Sequence, residues 1–145
     1  MIQAVNNKVL YNLLPPEEQP QKLVLSPNAD SLKIGKVLNV GETVTYIKQG
    51  DIITVYVNDL IKVEENTYIC TDKQILFINN LPQPNKVQIE PIKSESLYKL
   101  KKAKVISSND IEIKPDDTIL FIPGQGVILP NHTEIISNTQ IFGIY

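Results

Sequence analysis

Few residues in this 145-residue chain have the types and spacing that chemistry needs. Cys70 is the single cysteine, which excludes an intramolecular disulfide and a multi-cysteine zinc site. It alternates with Ile69 in an apolar run, and a reactive thiol would want a basic neighbour, so it reads as a small core residue. His132 is the single histidine and sits between Asn131 and Thr133, a turn sequence with no second imidazole to share a metal. Glu64-Glu65 and Asp116-Asp117 are paired carboxylates, but acid–base work needs one of each pair in an apolar pocket, and nothing nearby supplies one. Gly124-Gln125-Gly126 lacks the third glycine, the Lys-Ser/Thr pair and the following helix of a phosphate loop, and reads as a tight β-turn. Lys99, Lys101, Lys102 and Lys104 form the one basic cluster. It suits either an acidic partner or nucleic acid, or lysines that guard an edge strand from unwanted pairing; the guard is the expectation. What remains is Leu23-Val24-Leu25, an aliphatic triplet inside a polar stretch. Expected catalytic residues, metal ligands and cofactors are therefore none, and the chain is not expected to be an enzyme.

The composition says what must position these residues. Ile, Val and Thr fill 41 positions while Ala fills three, a balance that favours strands over helices. Ten Pro, six Gly and thirteen Asn add turn chemistry, so the expected class is all-β. No apolar run approaches the length of a bilayer span, and the start, Met1-Ile2-Gln3-Ala4-Val5-Asn6, has no basic segment followed by an apolar one. A membrane partner and a secreted protein are not expected. The net charge of −2 comes with fourteen Lys and no Arg. Arg is the side chain suited to forked phosphate and base-edge contacts, so nucleic acid is not an expected partner.

An internal repeat organises the chain. Residues 47–78 align with 113–144 at a constant offset of 66, with nine of 32 positions identical, among them Lys48/Lys114, Asp51/Asp117, Thr67/Thr133 and Gln74/Gln140. Upstream, Asn7-Lys8-Val9 is echoed by Asn85-Lys86-Val87 and Lys36-Val37-Leu38 by Lys104-Val105-Ile106. Two homologous units follow, residues 1–80 and 86–145, joined by a proline-stiffened linker at 81–85. The expected strands are Val5–Leu13, Gly35–Val40, Ile52–Val57, Leu60–Glu64, Thr67–Thr71 and Ile75–Ile78 in the first unit. In the second they are Val87–Ile92, Ala103–Ser107, Thr118–Ile122, Gly126–Leu129, Glu134–Ser137 and Ile141–Ile144. Short strands at this spacing in so small a unit indicate a small barrel or sandwich. Asn12–Ile34 is the exception: it holds Pro15, Pro16, Pro20 and Pro27, with the aliphatic triplet at its middle. A long segment of this kind inside a small unit is usually functional or disordered. The second unit has only Lys93–Lys102 in its place.

The succession Asn7-Lys8-Val9-Leu10, a long polar loop with Leu23-Val24-Leu25, Gly35–Gly41, Ile47-Lys48-Gln49-Gly50-Asp51 and Gln74–Ile78 resembles the GroES-type co-chaperonins. The second unit repeats the end of that pattern in Ile113–Phe121 and Thr133–Ile141, so the resemblance covers the chain as a tandem pair. It implies two small irregular β-barrels. It also implies that Leu23, Val24 and Leu25 dock on the apical domain of a chaperonin, in a homo-oligomer that caps the folding cavity. The last strand of one subunit would pair with the first strand of the next, which makes Val5, Val9, Ile141 and Ile144 the oligomer edge. Three departures bear on this. Gln21-Lys22 stands where a double glycine commonly precedes the docking triplet, only Glu42–Tyr46 remains of the roof hairpin, and the second unit has no docking loop. So pared-down a roof resembles phage-encoded versions of the family.

Burying three aliphatic side chains yields about 5–8 kcal/mol gross, while ordering a loop and fixing its position costs at least about 4 kcal/mol. One loop alone would bind weakly, and several loops on one ring would bind tightly through effective concentration. A co-chaperonin role thus requires an oligomer, with the cytoplasm (the host's, for a phage protein) as its expected compartment. The alternative is a phage virion component, a ring, collar or capsid-decoration protein, with virion neighbours as partners and the prolines of Asn12–Ile34 forming a rigid arm.

Overall fold

Runs rich in β-branched residues fit the extended backbone, and strands result. In the computed structural model, which describes residues 2–15, 32–57, 59–94 and 97–145, the chain is all-β, with thirteen strands and no α-helix among those residues. It divides into two units, Met1–Asn80 and Leu81–Tyr145.

In the first unit the strands are β1 (Lys8–Leu13), β2 (Leu32–Val40), β3 (Ile52–Tyr56), β4 (Ile61–Glu64), β5 (Thr67–Thr71) and β6 (Ile75–Ile78). They pair antiparallel in the order β4-β5-β1-β2-β3-β6. The second unit opens with the two-residue strand β7 (Leu81–Pro82) and continues with β8 (Lys86–Pro91), β9 (Lys101–Ser108) and β10 (Thr118–Phe121). It closes with β11 (Val127–Ile128), β12 (Glu134–Ser137) and β13 (Ile141–Ile144). Its sheet runs β11-β12-β8-β9-β10-β13, the same order strand for strand.

The likeness of the units extends to their irregularities. The ladder slips between Leu10 and Tyr11 in the first unit and between Gln88 and Ile89 in the second. A second slip falls between Thr54 and Val55, and again between Leu120 and Phe121. The turn before β3 is closed by Asp51, whose Oδ2 accepts the Lys48 N–H at 3.0 Å; before β10, Asp117 accepts from Lys114 at 2.9 Å. Gly50 and Asp116 hold the same left-handed position in these turns, at φ 91° and 73°. Asn66 and His132 do so in the hairpins β4–β5 and β11–β12, at 51° and 67°. One turn of 3-10 helix precedes the last strand of each unit, Asp72–Gln74 and Asn138–Gln140.

Each unit has its own core. In the first, Val9, Tyr11, Val37, Ile53, Val55 and Ile75 pack together, and the short segment after Gly41 tucks Val44 and Ile47 into the same cluster. In the second, Val87, Ile89, Ala103, Val105, Ile119, Phe121 and Ile136 do the same. One pair of positions is filled differently. The Tyr11 ring lies over Gly35, where a Cβ would come within 2.5 Å of the Tyr11 Cδ2. The corresponding residues of the second unit are Ile89 and Ala103, both fully buried: a smaller side chain faces a larger partner.

The expectations about sheet edges are corrected. β1 is not an edge: it pairs with β2 on one side and β5 on the other, and Val9 is wholly buried. Val5 lies outside any strand, because Asn6 at φ 57° turns the chain before β1 begins at Lys8. Lys101, Lys102 and Lys104 do not guard an edge either, since β9 lies between β8 and β10. Residues 81–85 hold the two-residue strand β7, with Pro82 and Gln83 buried.

Candidate functional site

The residues expected to bind a partner fall on two stretches of the chain. Leu23, Val24 and Leu25 lie outside the described residues. Their place in the sequence is between the end of β1 at Leu13 and the start of β2 at Leu32. On the flanks of that interval Leu14 donates its N–H to the Ile34 carbonyl at 3.0 Å, so the two strands are still tied together where the description stops. In the second unit the matching interval, from Pro91 to Lys101, is much shorter.

Ile141 and Ile144 are on β13, the outermost strand of its sheet. β10 is its one strand partner among the described residues, through Ile119–Ile144, Leu120–Gly143 and Phe121–Ile141. Ile141 packs against the core, whereas Phe142, Ile144 and Tyr145 are 61%, 47% and 68% exposed. Such an edge offers unpaired backbone and apolar side chains together, the combination that invites strand addition. Of the four expected edge residues, the structure therefore brings Ile141 and Ile144 together on a free edge and leaves Val5 and Val9 off it.

Among the described residues, the reactive side chains within each unit do not come together as a site. Cys70 is buried in β5 opposite Val9. Burial first, and the Asp72 carboxylate second, push its thiol from the usual 9.0 up to about 12. His132 is an exposed turn residue whose N–H reaches the Leu129 carbonyl. Glu65 meets Lys62 at 3.4 Å and Asp116 meets Lys104 at 3.3 Å, both on the surface. Gly124 takes φ 97°, and at Gly126 a Cβ would come within 2.8 Å of the Ile135 carbonyl, so backbone geometry accounts for both glycines. Burial raises the Glu134 carboxyl above its ordinary range and lowers the Lys86 ammonium below its own. These two stand at opposite ends of one ladder, Glu134 beside Ile89 and Lys86 beside Ser137, and form no acid–base pair. Among the described residues no three His, Cys, Asp or Glu side chains gather as metal ligands.

Sequence reasoning missed a groove that Lys99, Lys101 and Lys102 help to line on the second unit. The signal for it was present in the alternation of lysine with Tyr98, Leu100 and Ala103, which an edge reading had absorbed. No helix among the described residues is long and apolar enough to cross a membrane. No family model matches the sequence, and no curated protein matches it either.

Proposed function

We infer that the protein is a non-enzymatic, oligomer-forming β module of the co-chaperonin kind, which engages a chaperonin through Leu23-Val24-Leu25. The observation that carries this reading is the asymmetry of the duplication. Two units share one strand order, and one of them has a long segment with an aliphatic centre inserted between its first two main strands. That is the position at which the resemblance places a docking loop. No nucleotide or metal enters the proposal, because any hydrolysis belongs to the partner.

The free β13 edge favours a second reading, a structural ring or decoration component of a phage particle, whose neighbours would add strands to β13. One pair of measurements separates them. Under the first reading, purified protein co-sediments with a chaperonin and Val24→Asp abolishes this while the β-sheet circular dichroism is unchanged. Co-sedimentation that Val24→Asp leaves intact refutes docking through the triplet. Stoichiometric presence in purified particles, with no chaperonin binding, supports the second.

A further inference from the structure

On the second unit, described residues from the stretch between β8 and β9 line a groove of about 760 Å³ together with Leu120 of β10 and Tyr145 just beyond β13. Its walls are apolar: Ile92, Leu100, Leu120 and the ring of Tyr145. Leu120 and Lys102 are cross-strand neighbours, and the Lys102 ammonium stands 4.6 Å from the centre of the Tyr145 ring. Four of the chain's fourteen lysines, Lys93, Lys99, Lys101 and Lys102, surround this one opening, in a protein whose net charge is −2. Among the described lining residues no side chain is a carboxylate.

We propose that this groove binds an acidic segment of a partner protein in which carboxylates alternate with aliphatic or aromatic side chains. The charge of the rim selects an anion. The apolar walls require that the anion also carry apolar groups, since water must be displaced from Leu100, Leu120 and Tyr145 for binding to gain from burial. Several separated lysines match several carboxylates along a chain better than the single head group of an amphiphile. Nucleic acid fits poorly, because lysine makes point contacts and lacks the planar fork that reads phosphate and base edges. Binding here does not depend on Leu23-Val24-Leu25, so loss of either interaction leaves the other measurable.

The test uses the full-length protein and three fluorescently labelled, end-capped peptides, of alternating Asp-Leu, Asp-Ser and Lys-Leu. Anisotropy is expected to show binding of Asp-Leu and at least tenfold weaker binding of the other two. Raising the salt to about 1 M, where the screening length is only ~3 Å, is expected to weaken the Asp-Leu complex severalfold without any mutation. The double variant Lys99→Glu, Lys102→Glu, at two exposed positions, is expected to weaken it at least tenfold, and Tyr98→Ala to weaken it less. Equal affinity for Asp-Leu and Asp-Ser would overturn the proposal in favour of bare charge attraction. So would complete displacement of the peptide by decanoate at matched concentration, which would identify a small-amphiphile site, or self-association of the protein that the double variant dissolves.

Discussion

At the scale of single residues, Cys70 is the clearest case of environment deciding chemistry. Its thiol is buried, and the Asp72 carboxylate adds to the cost of a thiolate, so the folded protein keeps the proton up to about pH 12 against the usual 9.0. Tyr46 behaves alike: burial first, then Asp72, push its hydroxyl from 10.0 to about 12. In both cases the folded state holds a proton that the unfolded chain has released, so stability falls as pH rises through that window. The urea midpoint is therefore expected to decline from about pH 9 upward, and Cys70→Val is expected to delay the onset toward the tyrosine range near 10.0. Iodoacetamide should alkylate Cys70 slowly in the native protein at pH 8 and rapidly in urea, at least a hundredfold apart in rate. Equal rates would mean that the thiol is not held in the core.

At the scale of elements, the paired 3-10 turns allow one motif to be weighed in two settings. The Gln74 side chain accepts the Thr71 N–H at 2.9 Å, and the Gln140 side chain accepts the Ser137 N–H at 2.9 Å. Gln140 is also buried, and its Nε2 donates to the Ile122 carbonyl at 3.3 Å. Gln74→Ala is expected to cost about 1 kcal/mol, the worth of a cap, and Gln140→Ala about 2 kcal/mol, because the half-buried Ile122 carbonyl also loses its donor. Urea unfolding of the two variants checks the order. These elements were legible in the sequence because local patterns determine them. Thr67–Thr71, Ile75–Ile78, Glu134–Ser137 and Ile141–Ile144 are strands with the expected ends, and the acidic turns at Asp51 and Asp117 close as their chemistry requires. What was not legible is which strands lie inside a sheet. Val9 and the lysines of β9 look like edge residues one strand at a time; only the pairing of β1 with the distant β5, and of β9 with both β8 and β10, puts the two strands in the interior.

For the whole molecule, the free side of β13 is the feature with the largest consequence for assembly. Its exposed Phe142 and Ile144 contribute little to the fold of an isolated chain but would be covered by an added strand. Native mass measurement is expected to find a multimer. Phe142→Lys together with Ile144→Lys is expected to convert it to single chains with unchanged β-sheet circular dichroism, since lysine blunts an edge without unfolding it. A wild-type protein already monomeric at micromolar concentration would rule out both functional readings, which share the need for an oligomer. The candidate docking triplet was legible as an aliphatic island among prolines, whereas the lysine-lined groove required the fold: Leu120 and Tyr145 are distant in sequence from Lys99 and line the groove with it only because β9, β10 and β13 pair.

The exchange of Tyr11 and Gly35 in one half for Ile89 and Ala103 in the other has an evolutionary corollary. Introducing alanine at 35 alone drives a methyl into a phenol ring, and trimming the ring to isoleucine alone opens a void above bare backbone. The joint exchange still leaves that methyl 2.7 Å from the Asn12 carbonyl oxygen, so the backbone has to shift as well. Once the halves had taken different solutions, neither could drift back to the other's by single steps without a penalty, so this site acts as a ratchet that keeps the twins distinct.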